Sequence, residues 1–299
     1  MSATAGVGIE VADLPLRRRR GHVVRTVLRS PAGALAVAVL AVLVLGSLLA
    51  PLVAPYGFDE IRVGRPFEPI SGAHLAGTDE VGRDLLSRLL YGGRLSLGIA
   101  AAATLLAMVL GVIWAGVGAM RGGLADDVSM RGADTLMAIP VMLFAMLLVG
   151  AVGRSIAGMI AVLGVLHAPF VARVVRAAVL GELHREYCTA ARGFGASRSR
   201  VFLREVLPNI TPVLGVQAAV TAASVILTEA SLGFVGLGVR PPQASWGTLV
   251  HDGYTHLYQS FAYVAIPGLL IFLTIWALNV LSDQVEVALR ARGASDGDE

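Results

Sequence analysis

The run EYCTAARGFGASRSRVFLREVLPN, residues 186–209, is a polar island between two long apolar blocks, and that contrast decides the fold. Its first half, 186–192, consists of good helix formers. Gly193 and Gly195 then each cost a continuous helix about 1 kcal/mol, which favours a bend. Ser197 can cap a second short helix by accepting a hydrogen bond from a free backbone N–H. That helix pairs Phe202 with Val206 and Leu203 with Leu207 at i,i+4, while Arg198, Arg200 and Arg204 keep a charged face. Pro208 is expected to stop it at Leu207. The product is a bent, two-piece amphipathic element with an apolar seam and a guanidinium-rich rim, shaped to lie in a groove of a partner protein. The plainer alternative is an amphipathic helix resting on a membrane surface.

The flanking blocks belong to a membrane protein. The 299 residues are 56% hydrophobic and 15% charged, and the mean hydropathy is +0.73. A charge at a membrane-helix centre costs about 2.5–3.5 kcal/mol, so charge-free blocks of about 20 residues mark spans. Six occur, at 32–58, 95–120, 135–153, 155–172, 206–228 and 257–282. The fourth is short unless Arg173 and Arg176 face protein or reach the interface. All 24 basic residues are arginine. With the amino terminus inside, 17 arginines fall in inner segments, including Arg17 to Arg20 and the five from Arg185 to Arg204, against 7 outside. The positive-inside rule then places both termini and the polar island in the cytoplasm. This bias also accounts for the basic pI, so nucleic-acid binding has no separate support.

The polar island resembles the cytoplasmic coupling motif of ABC-importer permeases: Glu-Ala-Ala, three residues, Gly, nine residues, Ile, one residue, Leu-Pro. Ala190, Ala191, Gly195, Leu207 and Pro208 fall in register, whereas Thr189 replaces the usual Glu and Glu205 the usual Ile. Glu186, Tyr187, Arg192, Ser197, Arg204 and Asn209 resemble the dipeptide/oligopeptide/nickel branch. Two further stretches are similar to that branch: LAGTDEVGRDLLSRLLYGGRLSLG at 75–98 and ILTEASLGFVGLGVRPPQASWG at 226–247. The resemblance implies an all-α integral membrane protein with six transmembrane helices, in the type I ABC importer transmembrane-domain fold. It implies that residues 186–207 dock on an ATP-hydrolysing subunit. It also implies a complex of two ATP-binding subunits, a second permease subunit and an extracytoplasmic solute-binding protein, in the cytoplasmic membrane.

The domain boundaries follow. Residues 1–31 are expected to be a cytoplasmic tail with a basic anchor, and 32–55 an uncleaved first span. Residues 56–94 form an extracytoplasmic connection with a short amphipathic helix, 95–288 the permease core, and 289–299 a disordered tail. Asp79, Arg83 and Asp84 are expected in salt bridges and caps. Pro169 permits a kink in the fourth span, with His167 beside it as either a pathway or a packing residue. Glu229, the one carboxylate on its apolar run, is placed near the outer boundary, where it needs neither a partner nor a proton. Cys188 is the only cysteine, so no internal disulfide exists, and the histidines show no metal-site spacing.

No Gly-x-x-x-x-Gly-Lys-Ser/Thr loop is possible without lysine, so this chain cannot supply that ATP site; it carries no cofactor of its own, and ATP and Mg belong to partner subunits. The expected function is non-enzymatic: half of the translocation pathway for di- or oligopeptides, coupled to ATPase subunits. The same role for nickel or another small solute is an alternative. An ion-coupled secondary transporter would use intramembrane carboxylates, of which only Glu229 is a candidate. A membrane enzyme would need a convergent reactive set, and Ser155, His167 and Glu229 share no motif.

Overall fold

The structure is a computed structural model that describes residues 26–295, with side chains described as far as residue 289. It is helical throughout, with no strand among the described residues and one isolated bridge, Thr78 to Asp84. In chain order the main helices are α1 (Pro31–Leu48), α2 (Leu85–Arg121), α3 (Gly123–Met137), α4 (Val141–Val152), α5 (Ile156–Leu183), α6 (Glu186–Gly193), α7 (Arg198–Val201), α8 (Thr211–Phe234), α9 (Trp246–Thr255) and α10 (Phe261–Ser295). Five of them, α1, α2, α5, α8 and α10, are long and apolar enough to cross a membrane, and α3 with α4 makes a sixth if the bent pair counts as one span.

Several boundaries differ from the sequence reading. The amphipathic helix expected before the second span is continuous with it: α2 has 37 residues, about 55 Å at 1.5 Å per residue. The third block is not one straight helix. Pro140 has no N–H to continue the ladder and excludes the preceding residue from helical backbone, and α3 and α4 meet at 87° across it. Pro267 lies inside α10 rather than opening it, and that helix runs to Ser295, so the tail expected to be disordered from 289 is helical that far. Residues 1–25 and 296–299, including the Arg17 to Arg20 anchor, lie outside the described residues.

Side-chain packing makes three apolar layers along the bundle. The central layer brings Ile99 and Ala103 of α2 against Val149 of α4, Leu163 of α5 and Val225 of α8. α2 and α5 lie close because small residues allow it, as helix association in lipid requires. A Cβ on Gly111 would sit 2.5 Å from Val171 Cγ1. One end layer joins the last turns of α2 and α5 to the polar island through Ala115, Val175, Cys188 and Phe202. The opposite layer, about 45 Å along α2 by helical rise, packs Leu85 and Leu89 against Trp246, Leu249 and Tyr263. The two intramembrane arginines are paired rather than bare. Arg176 donates to both Asp126 oxygens, with Nη2 at 2.6 Å, and Arg173 lies 3.3 Å from Asp134. Both pairs fasten α3 to α5.

Candidate functional site

The polar island folds as a bent element hung from the ends of three long helices. α6 begins at Glu186, three residues after α5 ends, and stops at Gly193. Gly195 then adopts φ +83°, the left-handed region where an L side chain is strained. Gly195 N–H donates to Arg192 O and Ala196 N–H to Ala191 O, both at 3.0 Å, which is the Schellman closure of a helix C-terminus. A Cβ at Gly195 would meet nothing within 4 Å. The glycine is therefore required by backbone conformation, not by space in this chain. Ser197 Oγ accepts from Arg200 N–H at 3.3 Å and caps α7.

Past α7 the chain departs from the simple helix expected. Residues Phe202–Val206 form a π turn, Leu207–Asn209 a further short turn, and the break falls at Ile210 rather than at Leu207. Pro208 cannot donate to the carbonyl four residues back. The widened turn accommodates this by letting Leu207 N–H reach Phe202 O. The buried seam consists of Cys188, Val201, Phe202 and Val206, while Leu203 is 58% exposed. Leu203 therefore does not join the seam, because the π turn rotates it outward.

Polar contacts tie the element to the helix ends. Arg192 donates to Leu183 O at 2.5 Å, in the last turn of α5, and Arg198 to Met120 O at 2.9 Å, near the end of α2. Both guanidiniums thus meet C-terminal carbonyls, where a cation also complements the helix dipole. Tyr187 Oη donates to Glu182 and accepts from Asn209 Nδ2, which also donates to Glu205 O at 2.7 Å. Burial first, then the bond to Glu182, pushes the Tyr187 phenol up, so it remains a donor. These groups border an open hollow of about 530 Å³ lined by Glu182, His184, Arg185, Glu186, Tyr187 and Asn209. Glu186, Ala190 and Arg204 are exposed, Ala191 and Leu207 half-buried, and Pro208 exposed. Among the described residues no group of His, Cys, Asp or Glu is placed to hold a metal ion.

Phe194 was not singled out from the sequence. It caps the bend, flanked by Gly193 and Gly195, and is 92% exposed. A large apolar side chain at the most prominent point of a polar element was the available signal.

The other sequence candidates lie elsewhere. His167 is 5% exposed within α5, with Nδ1 2.8 Å from Leu163 O. Glu229 is five residues from the end of α8 but inside the protein, 1% exposed, and not at a solvent-facing boundary. The close contact of α8 with α9 there encloses it. Its Oε2 accepts from Ser96 Oγ at 3.2 Å, Ser96 Oγ accepts from Trp246 N–H at 3.0 Å, and Oε1 has no partner among the described residues. Asp79 accepts from Arg83 and from Arg88, and Asp84 caps α2 while bonding His74 at 3.0 Å.

Residues 107–293 match the family of binding-protein-dependent transport system inner membrane components. The chain belongs to this family. The permease is 36% identical to the di/tripeptide transport system permease protein DppC of Pseudomonas aeruginosa over 81% of its own length and 82% of that protein's. It is 33% identical to the oligopeptide transport system permease protein OppC of Bacillus subtilis over 84% and 82% of the two chains. With the probable D,D-dipeptide transport system permease protein DdpC of Escherichia coli it shares 33% identity over 86% of each. The permease is thus a multi-pass membrane transport component.

Proposed function

We propose that this chain is the permease subunit of an ATP-driven importer of short peptides. It forms half of the pathway with a second permease chain and takes its drive from two ATP-binding subunits, which hold the ATP and Mg. An extracytoplasmic binding protein delivers the solute. The similarity to peptide permeases over four-fifths of the chain supports the substrate class. The arginine distribution supports cytoplasmic termini, with the bent element on the same side.

One observation carries the coupling reading: the bent element is attached at once to the ends of α2, α5 and α8, and it presents Phe194 outward. A displacement of the element therefore moves three spanning helices together. Arg185, Arg200 and Arg204 are exposed and have no ion pair among the described residues, so acidic groups of an ATP-binding subunit can meet them. Phe194 would fill a cleft of that subunit as an anchor, and Glu186, Tyr187, Ala190, Ala191, Arg192, Gly195, Ser197, Leu207 and Pro208 would shape and hold the element around it.

Reconstitution into proteoliposomes tests the reading. Uptake of a labelled dipeptide should require ATP, the ATP-binding subunits and the binding protein. Uptake by this chain alone on an ion gradient would overturn it and favour a secondary transporter.

A further inference from the structure

Three segments meet beside the hollow at the bent element: the last turn of α5, the first turn of α6 and the turn that enters α8. Arg192 fastens α6 to α5 by donating to Leu183 O at 2.5 Å. The fastening to α8 is different. Cys188, Val206 and Ile210 share one apolar cluster, which holds without direction. Among the described residues a single hydrogen bond joins α6 to the chain between Phe202 and Thr211, the one from Asn209 Nδ2 to Tyr187 Oη at 3.2 Å.

Asn209 has two amide N–H groups to give. One closes its own turn on Glu205 O at 2.7 Å, and the other crosses to the phenol. The phenol in turn donates to Glu182 Oε2, one residue before the end of α5. Cys188, fully buried in the seam, fixes the rotation of α6, and Tyr187 lies about 100° round the helix from it, on the side of the hollow.

We propose that Tyr187 is a positioning residue for coupling: its hydroxyl latches the exit of α5 to the entry of α8, so that both helices follow α6 as one body. This rests on the reading of residues 186–207 as the coupling element. In the free chain water competes for all three groups, which line an open hollow of about 530 Å³. A subunit docked on the element closes that hollow, and hydrogen bonds strengthen as the local dielectric falls. Docking therefore sets the latch. Without the hydroxyl, α6 still carries α5 through Arg192, while α8 is left to the apolar seam.

Reconstituted complexes of the full-length chain with the ATP-binding subunits, the second permease and the binding protein test this by the number of labelled dipeptides imported per ATP hydrolysed. That ratio is insensitive to how many complexes assemble, so a merely structural loss does not move it. Tyr187→Phe keeps the ring and removes both bonds, and should lower the ratio about fivefold. Glu182→Ala should lower it too and add nothing to Tyr187→Phe, as for two partners in one interaction. Glu182→Gln keeps an acceptor for the phenol and should restore most of the ratio. Tyr258→Phe, fully exposed in the connection before α10, is the control and should match wild type. An unchanged ratio in Tyr187→Phe while Gly195→Leu abolishes stimulation would overturn the latch and leave the coupling reading standing. Losses in Glu182→Ala and Tyr187→Phe that multiply would also overturn it. Wild-type behaviour of both Tyr187→Phe and Gly195→Leu would take the coupling reading down as well.

Discussion

Replacing Gly195 isolates backbone geometry from contact. Its φ of +83° costs an L residue about 1–2 kcal/mol, and an added Cβ meets nothing within 4 Å in this chain. Strain alone thus shifts the equilibrium between bent and unwound element by about 5–30-fold, nearly equally for Ala and Leu. The two closing hydrogen bonds, Gly195 to Arg192 and Ala196 to Ala191, are what unwinding loses. Asn tolerates the left-handed region better and should cost less. In reconstituted complexes, peptide-stimulated ATP hydrolysis should fall in the order Gly, Asn, Ala, Leu. Leu should lie below Ala only if a partner wall adds a clash, and it should abolish stimulation while the binding protein still docks. If the Gly195→Leu complex hydrolyses ATP and transports like wild type, the coupling assignment is wrong.

Three other outcomes follow from the geometry. Phe194→Ala should leave the isolated chain's stability within about 0.5 kcal/mol, being almost fully exposed. It should weaken association with the ATP-binding subunits by about 2 kcal/mol, measured as Kd in detergent; an unchanged Kd would remove it as an anchor. Asp126→Asn should cost about 2 kcal/mol in unfolding experiments by weakening a charge-assisted fork with Arg176, and a Tm equal to wild type would show that α3 is held otherwise. Glu229→Gln keeps an acceptor for Ser96 and should retain most transport, whereas Glu229→Leu leaves the Ser96 hydroxyl unsatisfied at a cost of about 1–3 kcal/mol. Complete loss of transport in a normally assembled Glu229→Gln complex would instead make Glu229 a pathway residue.

The features legible in the sequence are those governed by local chemistry. Charge-free blocks marked the long helices because burying charge in lipid is costly, and Gly195 and Ser197 marked the bend and the cap because each acts through its own backbone neighbours. Counting charges missed the break in the third block, where Pro140 carries no charge but interrupts the helix. The π turn at Phe202–Val206 was missed because Pro208 reads as a stop at Leu207, whereas the chain widens by one residue there and continues to Ile210, with Phe202 and Val206 buried against the helix ends. Likewise Arg88 and Tyr263 are 175 residues apart in sequence, so the polar network behind Asp79 was visible only as charges without partners. Glu229 was misjudged for the same reason, since the glycines after it suggested a surface while α9 folds back to enclose it.

Cross-linking through residue 194 tests the central claim most directly. In a Cys188→Ala background, Phe194→Cys in the assembled complex should form a disulfide or short bifunctional link with a cysteine placed in the cleft of an ATP-binding subunit. Its yield should change with nucleotide, and a membrane-impermeant thiol reagent added outside intact cells should not reach it. Labelling from outside, or a link to the solute-binding protein in place of the ATP-binding subunit, would contradict the account.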